Sequence, residues 1–151
     1  MAAILLIDDH DDFRFVLRRL LTLSGHVVRE ADDGVRSLRT ASQLRPDAIV
    51  LDLDMRGTDG WEVYGRLKRA TSTAAIPVIA LAARQSPVIY PEGTVFAVEG
   101  YLTKPVDLST FMTTLDEILA PRERARRGDG PLPVREGLGD PASHSPFGAQ
   151  Q

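Results

Sequence analysis

The sequence predicts an α/β domain with a five-stranded parallel sheet, and we place this domain at residues 1–120. Short apolar segments alternate with segments of helical periodicity, which is typical of βα units around a sheet that is buried on both faces. Of the 151 residues, 43% are hydrophobic, and the formal net charge is −3. These values are ordinary for a globular protein, and the length suits one domain with a core of its own.

The predicted strands are short and mostly apolar. The first is Ala3–Ile7, which has no basic flank, runs directly into two aspartates and is too short to cross a membrane. We therefore expect a buried strand there and no membrane partner. The other four strands are predicted at His26–Glu30, Ala48–Leu51, Val78–Leu81 and Gly100–Thr103.

Helices are predicted between the strands. Apolar residues recur at helical spacing from Phe13 to Leu21, and Gly25 follows where such a helix would end. Further helices are predicted at about Gly34–Leu44, at about Asp59–Arg69, and after Asp107, which would act as an N-cap. The segment Ser86–Glu99 contains proline, glycine and β-branched residues, so we expect a short or irregular fourth helix there.

Residues 121–151 differ in composition from the predicted domain. They contain five prolines and five glycines and few large apolar side chains, so we expect a largely disordered tail. At its start, Arg122–Arg127 could extend a helix or bind anions weakly, but a solvated run of charge is the favoured interpretation. Because this is the one basic run, no direct nucleic-acid partner is expected.

The absence of cysteine excludes disulfides, thiolate catalysis and cysteine metal sites. It is compatible with the cytoplasm, the location that we expect.

Charged residues follow three predicted strands, at the edge where open α/β sheets bind ligands. Asp8 and Asp9 follow the first strand, Asp52 the third and Lys104 the fifth. Crowded carboxylates repel one another, and a divalent cation such as Mg²⁺ relieves that repulsion. With the cation bound, Asp52 could attack phosphorus as a nucleophile while Lys104 binds a phosphoryl oxygen.

Four motifs, correctly ordered and spaced over residues 1–120, resemble those of the response-regulator receiver family of two-component signalling. They are ILLIDD at residues 4–9, PDAIVLDLDM at residues 46–55, IPVIAL at residues 76–81 and GYLTKP at residues 100–105. The resemblance implies a doubly wound, flavodoxin-like sheet with strand order 2-1-3-4-5.

The resemblance also implies a role for each matching residue. Asp52 would be the phosphoryl acceptor, and Lys104 would bind the phosphoryl group. The Mg²⁺ ligands would be the carboxylates of Asp8, Asp9 and Asp52 and the backbone carbonyl of Asp54. Tyr101 would be an aromatic switch, and the peptide bond before Pro105 would be cis. Lys104 is one of only two lysines beside 16 arginines, which suggests that its position requires a compact ammonium group.

The sequence departs from the family pattern at the switch position, where Ala82 replaces Thr or Ser. The missing hydroxyl removes a bond to a charged group worth roughly 1.5–3 kcal/mol, so we expect phosphorylation of Asp52 to be weakly coupled to signalling. The extra carboxylate of Asp54 could strengthen metal binding or repel a phosphoryl donor. His10 could reach the pocket, but a solvated loop histidine is the favoured interpretation.

The leading functional prediction is a single-domain response regulator that signals by binding a downstream protein. Its phosphoryl donor would be a sensor histidine kinase or a phosphotransfer protein, and it would turn over no substrate other than its own phosphoaspartate. Ala82 motivates an alternative, a receiver-like interaction module that works largely without phosphorylation. The Asp52-Leu53-Asp54 motif allows a small phosphatase resembling the haloacid dehalogenases, but such enzymes carry their acidic metal residues after the nucleophile.

Overall fold

A computed structural model describes residues 1–83 and 98–128 of the protein. Its strands are β1 (Ala3–Ile7), β2 (Val27–Ala31), β3 (Ala48–Asp52), β4 (Val78–Ala83) and β5 (Gly100–Lys104). Its helices are α1 (Asp11–Leu23), α2 (Gly34–Leu44), α3 (Gly60–Arg69) and α4 (Leu108–Arg126). The predicted strands and helices within these residues are confirmed, with β2 beginning one residue later than expected.

The five strands form one parallel sheet in the order β2-β1-β3-β4-β5, as predicted. The register pairs Ile7 with Leu51, Asp52 with Leu81, and Ala83 with Lys104. The carboxyl ends of β1, β3, β4 and β5 therefore meet at one edge of the sheet, where the predicted site residues lie.

Side chains alternate between the two faces of the sheet, and each face packs against two helices. On one face, Leu5, Ile49 and Leu51 belong to a buried cluster with side chains of α2 and α3. On the other, Leu6 and Val50 belong to a cluster with side chains of α1 and α4. Because β1, β3 and β4 are buried on both faces, they read as continuous apolar runs in the sequence.

Gly60, the first residue of α3, allows the helix to approach the segment that follows β3. A Cβ atom at this position would lie 2.4 Å from Leu53 Cα and 2.8 Å from the Leu53 carbonyl oxygen. Asp59 caps the helix by accepting a hydrogen bond from the Trp61 N–H at 2.9 Å. Close packing and capping together fix the loop between Asp52 and α3.

Lys68 stabilises the opposite edge of the sheet, at the start of β4. Its Nζ donates to the carbonyl of Ile76 at 2.8 Å and to Glu99 Oε1 at 3.1 Å. The second oxygen of Glu99 accepts from the Val78 N–H at 2.7 Å. This lysine therefore connects the end of α3 to the beginnings of β4 and β5.

The last helix does not end near residue 120 but continues through Pro121 to Arg126. Proline removes one intrahelical hydrogen bond, but contacts with distant segments fix the last turns. Arg126 pairs with the Asp47 carboxylate, and Arg122 Nη2 donates to the Ala75 carbonyl at 3.1 Å. The division predicted at residue 120 thus falls within this helix.

Several sequence predictions concern residues that the structure does not describe. These are the irregular helix, apart from Val98 and Glu99, and the tail after Gly128. Within residues 1–83 and 98–128, no helix combines the length and the hydropathy that crossing a membrane requires.

Candidate phosphoryl-acceptor and metal site

Two wholly buried carboxylates lie at the carboxyl edge of the sheet. Asp52 is the last residue of β3, Asp8 follows β1 directly, and both are 0% exposed. Asp9 lies beside them, with 18% of its side chain exposed. The sheet brings together the three aspartates that were predicted to form the site.

Lys104 provides the positive charge of the site from the end of β5. Its Nζ donates to Asp52 Oδ1 at 2.8 Å and lies 5.9 Å from the centre of the Phe13 ring. The Lys104 side chain is 22% exposed, so its ammonium group contacts Asp52 while the side chain remains partly accessible to solvent. An ammonium group in this position can also attract an anion that approaches Asp52.

Hydrogen bonds from surrounding residues fix the carboxylates. The Asp54 N–H donates to Asp52 Oδ1 at 2.9 Å, and the Arg56 N–H donates to Asp9 Oδ2 at 2.7 Å. The His10 N–H donates to Asp8 Oδ1 at 2.7 Å. Each aspartate thus has one oxygen held by backbone.

The remaining oxygens are suited to a divalent cation. Within the described part of the chain, Asp8 Oδ2, Asp9 Oδ1 and Asp52 Oδ2 are buried and accept no hydrogen bond. Ligand atoms of these three aspartates and of His10 all lie within 4.8 Å of one another. Buried carboxylate oxygens without a donor are costly unless a cation compensates them, and Mg²⁺ prefers such oxygens. The residues present therefore fit a Mg²⁺ ion.

The protonation of Asp8 reflects the same crowding. Burial raises the pKa of Asp8 above its ordinary value, and the nearby charge of Asp52 raises it further. The hydrogen bond from the His10 N–H and the charge of Lys104 lower this pKa, but burial has the larger effect. Without a cation, the ionised form of Asp8 is thus less favourable in the folded protein than in the unfolded chain.

His10 contacts the three aspartates although it is exposed to solvent, so the structure agrees with the less favoured interpretation that this loop histidine reaches the site. Its Nδ1 lies 3.2 Å from Asp8 Oδ1, 3.1 Å from Asp9 Oδ1 and 3.3 Å from Asp52 Oδ2. Its side chain is 49% exposed, so His10 contacts the aspartates while part of it remains accessible to solvent. Its place directly after the acidic pair was the one signal in the sequence.

The predicted switch residues lie on β4 and β5. Ala82 is buried on β4 and pairs with the exposed Thr103. Tyr101 is 39% exposed on β5. The Lys104–Pro105 peptide bond is cis, as the resemblance implies. Arg84 and Ser86, two polar residues that follow Ala82 in the sequence, lie outside the described residues.

The family of the chain follows from comparison with known proteins. The sequence model of the response regulator receiver domain matches residues 4–116, which is most of the chain. The chain belongs to the response regulator receiver family. The fold and the strand-end aspartates of this receiver agree with that membership.

Curated relatives of this receiver include proteins of two lengths. Protein PilH of Pseudomonas aeruginosa is 33% identical over 120 residues, covering 80% of this chain and 99% of PilH. The transcriptional regulatory protein AfsQ1 of Streptomyces coelicolor is 36% identical over 124 residues. That match covers 82% of this chain but 54% of AfsQ1, so this chain spans about half the length of that regulator.

Solved receiver structures share the fold. The chemotaxis response regulator CheY4 of Vibrio cholerae is 29% identical and has a TM-score of 0.70, with 79% of this chain and 99% of CheY4 covered. The receiver domain of the sensor histidine kinase PA1611 of Pseudomonas aeruginosa is 24% identical, has the same TM-score of 0.70, and covers 79% of this chain and 98% of its own. In that structure, a magnesium ion is coordinated in the active-site cleft.

Proposed function

We propose that this receiver accepts a phosphoryl group on Asp52 in a Mg²⁺-dependent reaction and signals by binding a downstream protein. The observation that carries the proposal is the environment of Asp52. Its buried carboxylate contacts Lys104 on one oxygen, and its second oxygen faces the carboxylates of Asp8 and Asp9 without a hydrogen bond. Such an arrangement suits nucleophilic attack on phosphorus followed by stabilisation of the transferred charge.

In the proposed reaction, a carboxylate oxygen of Asp52 forms a bond to the phosphorus of the donor. The bond between phosphorus and the leaving group breaks, and the leaving group keeps the electron pair. Asp52 becomes an acyl phosphate, and Lys104 binds one of its phosphoryl oxygens. Asp8, Asp9, Asp52 and the backbone carbonyl of Asp54 would hold Mg²⁺, which neutralises phosphoryl charge when bound. Hydrolysis of the acyl phosphate restores Asp52.

The donor in the cell would be a phosphohistidine on a sensor kinase or on a phosphotransfer protein. This assignment follows from family membership, because receivers are signalling modules of two-component systems. A cytoplasmic location belongs to the same proposal.

Acetyl phosphate tests the proposal without a kinase. With Mg²⁺, the wild type should gain one phosphoryl mass, and Asp52→Asn should gain none. Asp12→Asn, a change on the exposed first turn of α1, should react like the wild type. A chelator should suppress the reaction. Failure of the wild type to form the adduct with acetyl phosphate or a phosphorylated histidine kinase would falsify the proposal.

The presence of Ala82 at the switch position favours a second candidate, an interaction module that works largely without phosphorylation. Under that function, the affinity for a protein partner would be the same for the wild type and for Asp52→Asn. The phosphatase alternative has less support, because the Asp54 carboxylate bonds to the Ala83 N–H instead of joining the acidic cluster. Continuous hydrolysis of a simple phosphomonoester by the protein would support the phosphatase alternative.

A further inference from the structure

The Asp54 side chain connects the acceptor residue to the end of the neighbouring strand. Its carboxylate Oδ2 accepts a hydrogen bond from the backbone N–H of Ala83, the last residue of β4. Its own N–H donates to Asp52 Oδ1 at 2.9 Å. The sequence left open whether this carboxylate strengthens metal binding or repels a phosphoryl donor. In the structure it does neither directly, because its partner is the backbone N–H of Ala83.

The Ala83 N–H is available to Asp54 because β3 ends before β4 does. The Leu53 N–H donates to the Leu81 carbonyl at 2.8 Å, and the next bond of a parallel ladder would join the Ala83 N–H to the Leu53 carbonyl. After Asp52, however, the chain turns toward α3, and Gly60 packs against Leu53. The Asp54 carboxylate supplies the acceptor that the ladder does not.

The same N–H is placed to bind a phosphoryl oxygen. Ala83 pairs in register with Lys104, whose Nζ contacts Asp52. Asp54 bonds to both the Ala83 N–H and Asp52 Oδ1, so this N–H lies at the same edge of the sheet as Asp52 and Lys104, the two groups that would meet the phosphoryl group. Backbone N–H groups at such an edge bind anions well, since they are donors fixed in place before the anion arrives.

We propose that Asp54 is a built-in anion that competes with the phosphoryl group of Asp52 for the Ala83 N–H. The inference rests on the proposed phosphorylation of Asp52. A phosphoryl group adds negative charge beside Asp54, which repels its carboxylate and attracts the N–H. Phosphorylation therefore displaces Asp54 from the end of β4. Asp54 acts as a positioning residue that couples Asp52 to β4, where Ala82 offers no hydroxyl for that purpose.

Titration with beryllofluoride, an analogue of the phosphoryl group on aspartate, tests this competition in the presence of Mg²⁺. Asp54→Ala removes both the charge and the acceptor, so we expect it to bind beryllofluoride at least tenfold more tightly than the wild type. Asp54→Asn removes the charge but keeps an acceptor, so it should be intermediate. Asp33→Asn is the matched control, because Asp33 also accepts from a backbone N–H, that of Arg36 at 2.6 Å.

A second measurement follows the hydrogen bond itself. In the wild type, beryllofluoride should shift the amide resonance of Ala83 as the N–H exchanges one anion for another. In Asp54→Ala the analogue-free resonance should lie upfield of its wild-type position, because the carboxylate partner is gone. An Ala83 amide that is the same in the wild type and in Asp54→Ala would overturn the inference.

The outcomes separate this inference from the proposed function. Equal beryllofluoride affinities of the wild type and both variants, with phosphorylation of Asp52 intact, would leave the receiver function standing and reduce Asp54 to a structural cap. If Asp54 only caps the end of β4, replacing it would lower the stability of the protein without changing its affinity for beryllofluoride. If neither the wild type nor Asp54→Ala binds the analogue or forms the phosphoryl adduct, the receiver function fails and the inference with it. Should Asp54→Ala not fold, Asp54→Asn decides, since it preserves the side-chain volume.

Discussion

The buried carboxyl of Asp8 contributes to the pH dependence of stability in the metal-free receiver. Its pKa is raised above the ordinary value of 3.8, chiefly by burial. The unfolded chain therefore releases this proton at a lower pH than the folded chain does. Over that interval the folded state binds more protons, so the contribution of Asp8 to stability falls as pH rises through the folded pKa.

Replacing Asp8 with Asn should remove this dependence. In the metal-free protein we expect Asp8→Asn to be more stable than the wild type, and the difference should grow as pH rises above 4. Saturating Mg²⁺ should reduce or reverse the difference, because the cation stabilises the ionised carboxylate. Urea unfolding at several pH values, with chelator or with Mg²⁺, measures both effects, and Asp12→Asn is the exposed control. A difference that stays constant with pH would contradict the assignment.

The side chain at position 82 permits a direct test of the missing hydroxyl. Ala82→Thr should strengthen beryllofluoride binding by roughly ten- to a hundredfold, which corresponds to about 1.5–3 kcal/mol for a bond to a charged group. Ala82 is buried, so the larger side chain also changes packing. Ala82→Val has the same shape without the hydroxyl and isolates that effect. Equal affinities of the Thr and Val variants would show that the hydroxyl contributes nothing here.

At the scale of residues, the sequence predicted Asp8, Asp9, Asp52 and Lys104 as neighbours because each follows a strand of a parallel sheet. The part played by Asp54 was not predictable, since it depends on where β3 stops relative to β4. The contacts of His10 with the aspartates were considered but not favoured, for a related reason. The direction of its ring depends on the turn from β1 into α1, where Arg14 Nη1 donates to the Asp8 carbonyl at 2.7 Å.

Among the elements, α3 has the strictest positional requirement. Gly60→Ala should lower the free energy of unfolding by at least about 2 kcal/mol, because a Cβ would overlap the Leu53 backbone. It should also weaken Mg²⁺ binding, since the displaced loop carries the Asp54 carbonyl. Gly65→Ala, on the same helix, would meet only the flexible end of Arg69 and should be neutral or stabilise by up to about 1 kcal/mol. Urea unfolding and Mg²⁺ titration compare the two, and equal stabilities would refute the packing argument.

The elements themselves were predictable wherever local periodicity defines them. Five apolar segments and three helical segments have nearly the observed bounds, because burial on both sheet faces leaves a direct pattern in the sequence. The end of α4 was not predictable. Its last turns are fixed by Asp47 and Ala75, which are far away in sequence, whereas the local signal of Pro121 indicates an end.

For the whole molecule, the last turns of α4 close the edge of the sheet opposite Asp52. The nearly buried Asp47 carboxylate pairs with Arg126 and accepts from the Ala3 N–H at 2.7 Å. Arg126 Nη1 also donates to the Met1 carbonyl at 3.2 Å. One helix end thus connects the beginnings of β1 and β3.

Truncation tests whether the folded unit extends past residue 120. A chain of residues 1–120 should be less stable than one of residues 1–128 by about 1–3 kcal/mol, because the buried Asp47 loses its charged partners. Arg126→Ala should cause part of that loss, and Arg39→Ala, an exposed change on α2, should cause little. Acetyl phosphate should still label Asp52 in the shorter chain, since the lost contacts are at the other edge. Equal unfolding midpoints of the two chains would place the boundary at residue 120.

Because lysine is scarce in this receiver, isotope labels on lysine side chains can be assigned to single residues. Its only two lysines are Lys68 and Lys104. Reductive methylation with ¹³C-formaldehyde would therefore label two lysine side chains, each in a different environment. The Lys68 label would report on the start of β4, where the Lys68 nitrogen contacts the Ile76 carbonyl and the Glu99 carboxylate. The Lys104 label would lie against the Asp52 carboxylate, so one methyl resonance could follow the proposed phosphorylation of Asp52 in real time.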